Sequence, residues 1–165
     1  MIRVAVVTIS DSAAAGTRED RSGPALRQRA AELGWNVAET RVVSDDASTI
    51  SSTLRALADA DTVDVVLTTG GTGVSARDVT PEATRAIADR DVPGFGELMR
   101  SEGRKLTRMA PLSRGGAVTR AATLILNLPG SPRGAVDSLN IVVDLIPHVV
   151  DLLHGHTGHH AKLTD

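Results

Sequence analysis

Hydrophobic and polar positions alternate between two kinds of pattern along this chain. Residues 2–9 form a continuous apolar run rich in valine, the signature of a strand buried on both faces. Residues 37–43 alternate with a period of two, and residues 63–69 form a second continuous run, so two further strands are expected there. Between them lie helical periods. Ser22-Gly23-Pro24 opens one, with Leu26, Ala30 and Leu33 on a single stripe and Gly34 as its stop. Residues 46–57 give another, with Ile50, Leu54 and Leu57 on one face and Asp46 in the N-cap position. Thr80-Pro81-Glu82 reads as a third helix start, with threonine as the cap and proline in the first turn. Pro93-Gly94 introduces a helix carrying Glu97, Leu98 and Arg100. A strand over residues 122–128 ends at Pro129-Gly130, and one long helix over residues 135–153 closes the pattern. Strands alternating with helices predict an α/β fold with a mostly parallel sheet. Ligands of such sheets sit at the carboxyl ends of the strands, at a switch point in strand order.

Composition narrows the function. With 165 residues the chain suits one domain, here residues 1–153, followed by a His-rich tail over 154–165. Trp35 and Phe95 are the only aromatic residues and the net charge is −2, which argues against stacking platforms and against a nucleic-acid partner. Cysteine is absent, excluding disulfides, thiolate metal sites and thiol nucleophiles. No run is long enough to cross a membrane, and the N-terminus enters a strand-like segment directly, so a cytoplasmic location is expected. All five histidines lie in the last 18 residues, leaving carboxylates, arginines and backbone amides to do any chemistry in the core. That profile suits phosphoryl or nucleotidyl transfer.

The segment "TTGGTGVSARDVTPEAT" at 68–84 carries the most specific signal. Gly71 to Ala76 matches the loose dinucleotide pattern G-x-G-x-x-A, which would suggest a nicotinamide oxidoreductase. Thr80-Pro81 delays the helix too far for that reading. Glycines at 70, 71 and 73 instead suit a longer loop whose N–H groups converge on anionic oxygens. A carboxylate at Asp78 would repel such an anion unless a divalent cation joined them, and Mg²⁺ takes one or two carboxylates with phosphate oxygens. The other reading of Asp78 is a helix cap. Asp45, beside the capping Asp46, is the candidate second carboxylate. Segment 100–120 holds six cations against Glu102 alone, which fits either a small anionic ligand or a solvated helix face.

Five stretches, taken together, resemble the molybdopterin-binding family: residues 68–84, "TISDSAAAGTREDRSG" at 8–23, "PGFGELMR" at 93–100, "LSR" at 112–114 and "LNLPGSP" at 126–132. With the elements between them they span residues 2–153. The resemblance implies a three-layer α/β/α sandwich around a mixed sheet, assembled as a homotrimer. It also implies a Mg²⁺-dependent adenylyltransferase that joins AMP from ATP to molybdopterin, releasing pyrophosphate, in molybdenum cofactor synthesis. A carrier that holds molybdopterin without chemistry is the alternative, and a molybdenum-insertion protein is an implied partner. Carried over, Asp45 and Asp78 are the catalytic, metal-holding pair. Asp11, Ser12, Gly70, Gly71, Thr72, Gly73, Glu97, Arg100, Ser113, Arg114 and Ser131 bind substrate, with Ser113 and Arg114 toward the pterin's phosphate. The family's Ser-Arg-x-x-Ala-Gly run departs here, with Val118 in place of glycine.

Overall fold

A computed structural model describes residues 1–156. Its sheet has six strands: β1 (Arg3–Ile9), β2 (Asn36–Val43), β3 (Val65–Thr69), β4 (Arg90–Val92), β5 (Ala117–Arg120) and β6 (Thr123–Leu128). Their spatial order is β2-β1-β3-β6-β5-β4. β2, β1, β3 and β6 run parallel, while β5 and β4 add an antiparallel pair at one edge. The helices are α1 (Asp11–Ala14), α2 (Ser22–Glu32), α3 (Ala47–Asp59), α4 (Thr80–Arg85), α5 (Pro93–Gly103), α6 (Pro132–Val142) and α7 (Ile146–Leu153), with a 3₁₀ turn at Ala110–Leu112.

The period of two in the strands divides the interior into two layers. Val4, Val6, Val65, Leu67, Leu124 and Leu126 face α2, α5, α6 and α7. Ala5, Val7, Val66 and Ile125 point the other way and pack against Ile50, Leu54 and Leu57 of α3 and Ala83 of α4. The result is a three-layer α/β/α sandwich with a mostly parallel mixed sheet, as expected. Leu54 is fully buried, and its truncation to alanine would cost about 2–5 kcal/mol. The Asp46 carboxylate accepts from the Thr49 N–H at 2.8 Å, so it caps α3 as its position predicts, a bond worth about 1 kcal/mol.

Two features of the pattern read differently in space. The closing helix is broken into α6 and α7, with Pro147 in the first turn of the second. Proline has no N–H and fits only a helix's first turn. β4 and β5, of three and four residues, went unpredicted because such short segments carry too little periodicity. Of the expected tail, 157–165 lie outside the described residues. His154 packs back: its Nε2 lies 3.4 Å from Asp64 Oδ1, just before β3 and at the opposite pole from the strand ends. Among the described residues, no helix is long and apolar enough to cross a membrane.

Candidate active site

Parallel strands β1, β2, β3 and β6 deliver four loops to one edge of the sheet, and the glycine loop after β3 is the centrepiece. Gly70 and Gly71 both have positive φ, +106° and +67°. A Cβ on Gly70 would collide with the Ile9 carbonyl, and one on Gly71 with the Thr80 hydroxyl. Only glycine meets both demands at low cost. Thr80 is not the cap of α4: its hydroxyl donates to the Gly70 carbonyl at 2.9 Å, and its N–H donates to Gly71 O at 3.1 Å. The threonine is therefore used to close the loop. The Gly70 N–H donates to Leu128 O at 3.2 Å, tying the loop to β6.

Asp45 reaches this loop from the end of β2. Its Oδ2 accepts the Asp11 N–H at 2.9 Å, and the Asp45 N–H donates back to Asp11 Oδ1 at 3.0 Å. Its other oxygen, Oδ1, faces Gly71, 3.2 Å from where a Cβ there would stand. Burial raises the Asp45 carboxyl above its ordinary value. The Asp11 N–H and Arg77 oppose that rise, while the charges of Asp11 and Asp78 add to it. Asp78 does not cap α4. Its Oδ2 accepts from the Ser75 N–H at 2.9 Å and the Ser75 hydroxyl at 2.8 Å, closing a turn inside the loop.

Arg114 crosses to the same loop from the chain preceding β5. Its Nε donates to Gly73 O at 2.7 Å, one Nη donates to Asp78 O at 2.6 Å, and both Nη atoms meet the Glu82 carboxylate. The Arg114 N–H also donates to Thr72 O at 2.8 Å. This guanidinium clasps the glycine loop and the start of α4. The same contact holds the Glu82 carboxyl below its ordinary value.

Two clefts flank the loop. One, of about 530 Å³, is lined by Asp45, Gly70, Gly71, Asp78 and Ser131, together with Arg18 and Asp20. The other, of about 570 Å³, is lined by Glu97, Arg100, Ser113, Arg114 and the almost buried Asn127. The residues singled out in the sequence thus divide into three groups, one on each cleft and one on neither. Asp11, Ser12, Thr72 and Gly73 line neither cleft; Asp11 stands behind Asp45, and Thr72 and Gly73 are held by Arg114. Ser131 caps α6, accepting from the Gly134 N–H at 3.1 Å, and Ser113 accepts from the Gly115 N–H at 3.2 Å. Ser12 lies 3.2 Å from the Ser10 hydroxyl, which caps α1. Arg100 donates to Gly115 O at 2.8 Å.

Sequence reasoning missed four participants. Asn127 carried no charge to mark it, and Glu82 looked like an ordinary acid of a helix's first turn. Arg77 was passed over beside Asp78, and Asp20 lay unassigned within a matching stretch. Half of the basic segment's six cations are paired within the protein: Arg120 with Asp59, Lys105 with Glu102, and Arg114 with Glu82. Val118 belongs to β5, paired opposite Ile125 and 4% exposed, a strand position that a β-branched residue suits.

An open, mostly parallel sheet with a glycine loop and carboxylates around a cleft at the switch point between β1 and β3 defines an α/β protein of the class whose ligands sit at such points. The chain belongs to the molybdopterin-binding family: residues 5–148 match the model of the probable molybdopterin binding domain. It is 44% identical over 157 residues to the molybdopterin adenylyltransferase of Escherichia coli K12, covering 93% of this chain and 79% of that one. To the molybdopterin adenylyltransferase of Helicobacter pylori J99 it is 41% identical over 156 residues, covering 93% and 89%. In structure it is similar to the molybdopterin biosynthesis enzyme MoaB of Thermus thermophilus, with a TM-score of 0.88 and 48% identity, covering 94% and 98%.

Proposed function

We propose that this protein is a molybdopterin adenylyltransferase, transferring AMP from ATP to the terminal phosphate of molybdopterin with release of pyrophosphate. The observation that carries the reading is the placement of Asp45 and Asp78 on one cleft with the positive-φ glycines. The activity named for the two bacterial relatives supports it.

The attacking phosphate is already anionic at neutral pH, so the site needs no strong base and the remoteness of His154 is no obstacle. The task is to bring two polyanions together and to neutralise the charge that gathers at the α-phosphorus. Gly70, Gly71 and Arg18 line the cleft in which that charge would gather. Asp45 and Asp78 fit Mg²⁺. Asp45's proton affinity is raised partly by neighbouring negative charge, which a cation would offset. The described residues hold no cluster of three potential ligands, so phosphate oxygens and water would complete the shell. Bound Mg²⁺ supplies charge neutralisation of the polyphosphate. Glu97, Arg100 and Ser113 line the second cleft as the proposed continuation of the substrate site. The proposal includes a cytoplasmic homotrimer and delivery of the adenylylated product to a molybdenum-insertion protein.

The test is incubation with molybdopterin, Mg²⁺ and ATP, with mass detection of the adenylylated product. Product from wild type and none from Asp78→Asn is the expected pair of results. Molybdopterin binding without product in wild type would leave only the carrier reading.

A further inference from the structure

Arg77 lies outside both clefts, yet it is bound into the site. Its Nε donates to Asp11 Oδ2 at 3.0 Å, and one Nη reaches Asp11 Oδ1 and Oδ2 at 2.9 and 2.8 Å. Asp11 Oδ1 is the same atom that accepts the Asp45 N–H at 3.0 Å, and the Asp11 N–H returns to Asp45 Oδ2 at 2.9 Å. Three loops, from the ends of β1, β2 and β3, are thereby closed into one network through a planar fork. Asp45 is left with one oxygen engaged and the other facing Gly71.

We propose that Arg77 is a positioning residue: acting through Asp11, it fixes the direction in which Asp45 presents its free carboxylate oxygen to the glycine loop. The inference rests on the adenylyltransferase reading for what Asp45 does, but the geometry stands without it. Arg77 and Asp11 side chains are 65% and 48% exposed. An ion pair that open adds little to global stability. Orientation is another matter, because a misdirected group near reacting phosphates slows the reaction steeply. A residue of this kind moves kcat while barely moving Tm.

Two measurements on Arg77→Gln, Arg77→Lys, Asp11→Asn and the Asp11→Asn/Arg77→Gln pair test it. The first is amide hydrogen exchange, independent of turnover. In Arg77→Gln the Asp45 and Asp11 amides are expected to exchange about tenfold faster, with the core amides unchanged. The second is steady-state kinetics. Arg77→Gln should lower kcat by about 10–100-fold with KM for molybdopterin held within about twofold. The double variant should be no worse than its worse single, and Arg77→Lys should recover part of the loss by keeping the charge without the fork. Unchanged exchange at both amides overturns the network, and an undiminished kcat overturns its role in catalysis. If wild type makes no product, the functional reading fails by itself, and the exchange experiment still decides whether Arg77 holds Asp45.

Discussion

Arg114 donates from Nε to the carbonyl of Gly73 at 2.7 Å, and the same guanidinium reaches the carbonyl of Asp78 at 2.6 Å. One side chain therefore spans the outer part of the glycine loop, and Glu82 holds that side chain in place. Lysine offers a point charge in place of a fork and could serve only one of these acceptors well. Arg114→Lys is expected to lower kcat/KM by about 10–100-fold, on the scale of one or two hydrogen bonds to a charged group. Glu82→Gln should cost less, because its amide oxygen still accepts from the guanidinium. Kinetics of both variants check this, and an Arg114→Lys enzyme at wild-type efficiency would show that the clasp is incidental.

Gly71→Val should abolish ATP and molybdopterin binding. At φ +67° a β-branched residue is strained, and its Cβ would displace the Thr80 hydroxyl from the Gly70 carbonyl. The fold should survive with a stability loss of about 1–3 kcal/mol, the usual cost of a forced left-handed residue. Calorimetric titration and chemical denaturation measure the two effects separately.

Asp45 makes a prediction about pH. Its carboxyl is raised in the folded protein, so its contribution favours folding below the unfolded value and weakens as pH rises through the folded one. Asp45→Asn keeps an oxygen for the Asp11 N–H and removes the charge. The variant should therefore melt higher than wild type at neutral pH, with the gain vanishing in acid where Asp45 is protonated, while adenylylation is lost. Thermal melts from acid to neutral pH, with an assay at neutrality, would show whether stability and activity part in this way.

Lys105 serves as a control from the basic segment. It pairs with Glu102 in the turn that follows α5, with 70% of its side chain exposed. Lys105→Ala should change stability by no more than about 0.5 kcal/mol and leave kinetic parameters at wild-type values. A large rise in KM would place the ligand on this face instead of in the clefts.

Where the backbone had to make a distinctive local choice, the chain declared it in advance. Continuous apolar runs marked β1 and β3 because a strand covered on both faces is apolar along most of its length. Gly70 and Gly71 announced a loop of positive φ, and Asp46 announced a helix start, since each is a decision made within a few residues. Asp45 and Asp78 were singled out as carboxylates near the glycine loop, and both line one cleft, although Asp78 also closes a local turn with Ser75. The partners of the arginines were not. A guanidinium on a long side chain meets whatever acceptors the folded loops bring near, and these came from distant sequence. Arg114 met Gly73 and Glu82, and Arg77 met Asp11, which is 66 residues away. Thr80 gave up a local cap for the Gly70 carbonyl for the same reason. Sequence settled which groups stand at the sheet's edge. Only the tertiary structure decided which of them face the clefts and which are held in bonds to one another, because that choice depends on distances between loops that no local pattern encodes.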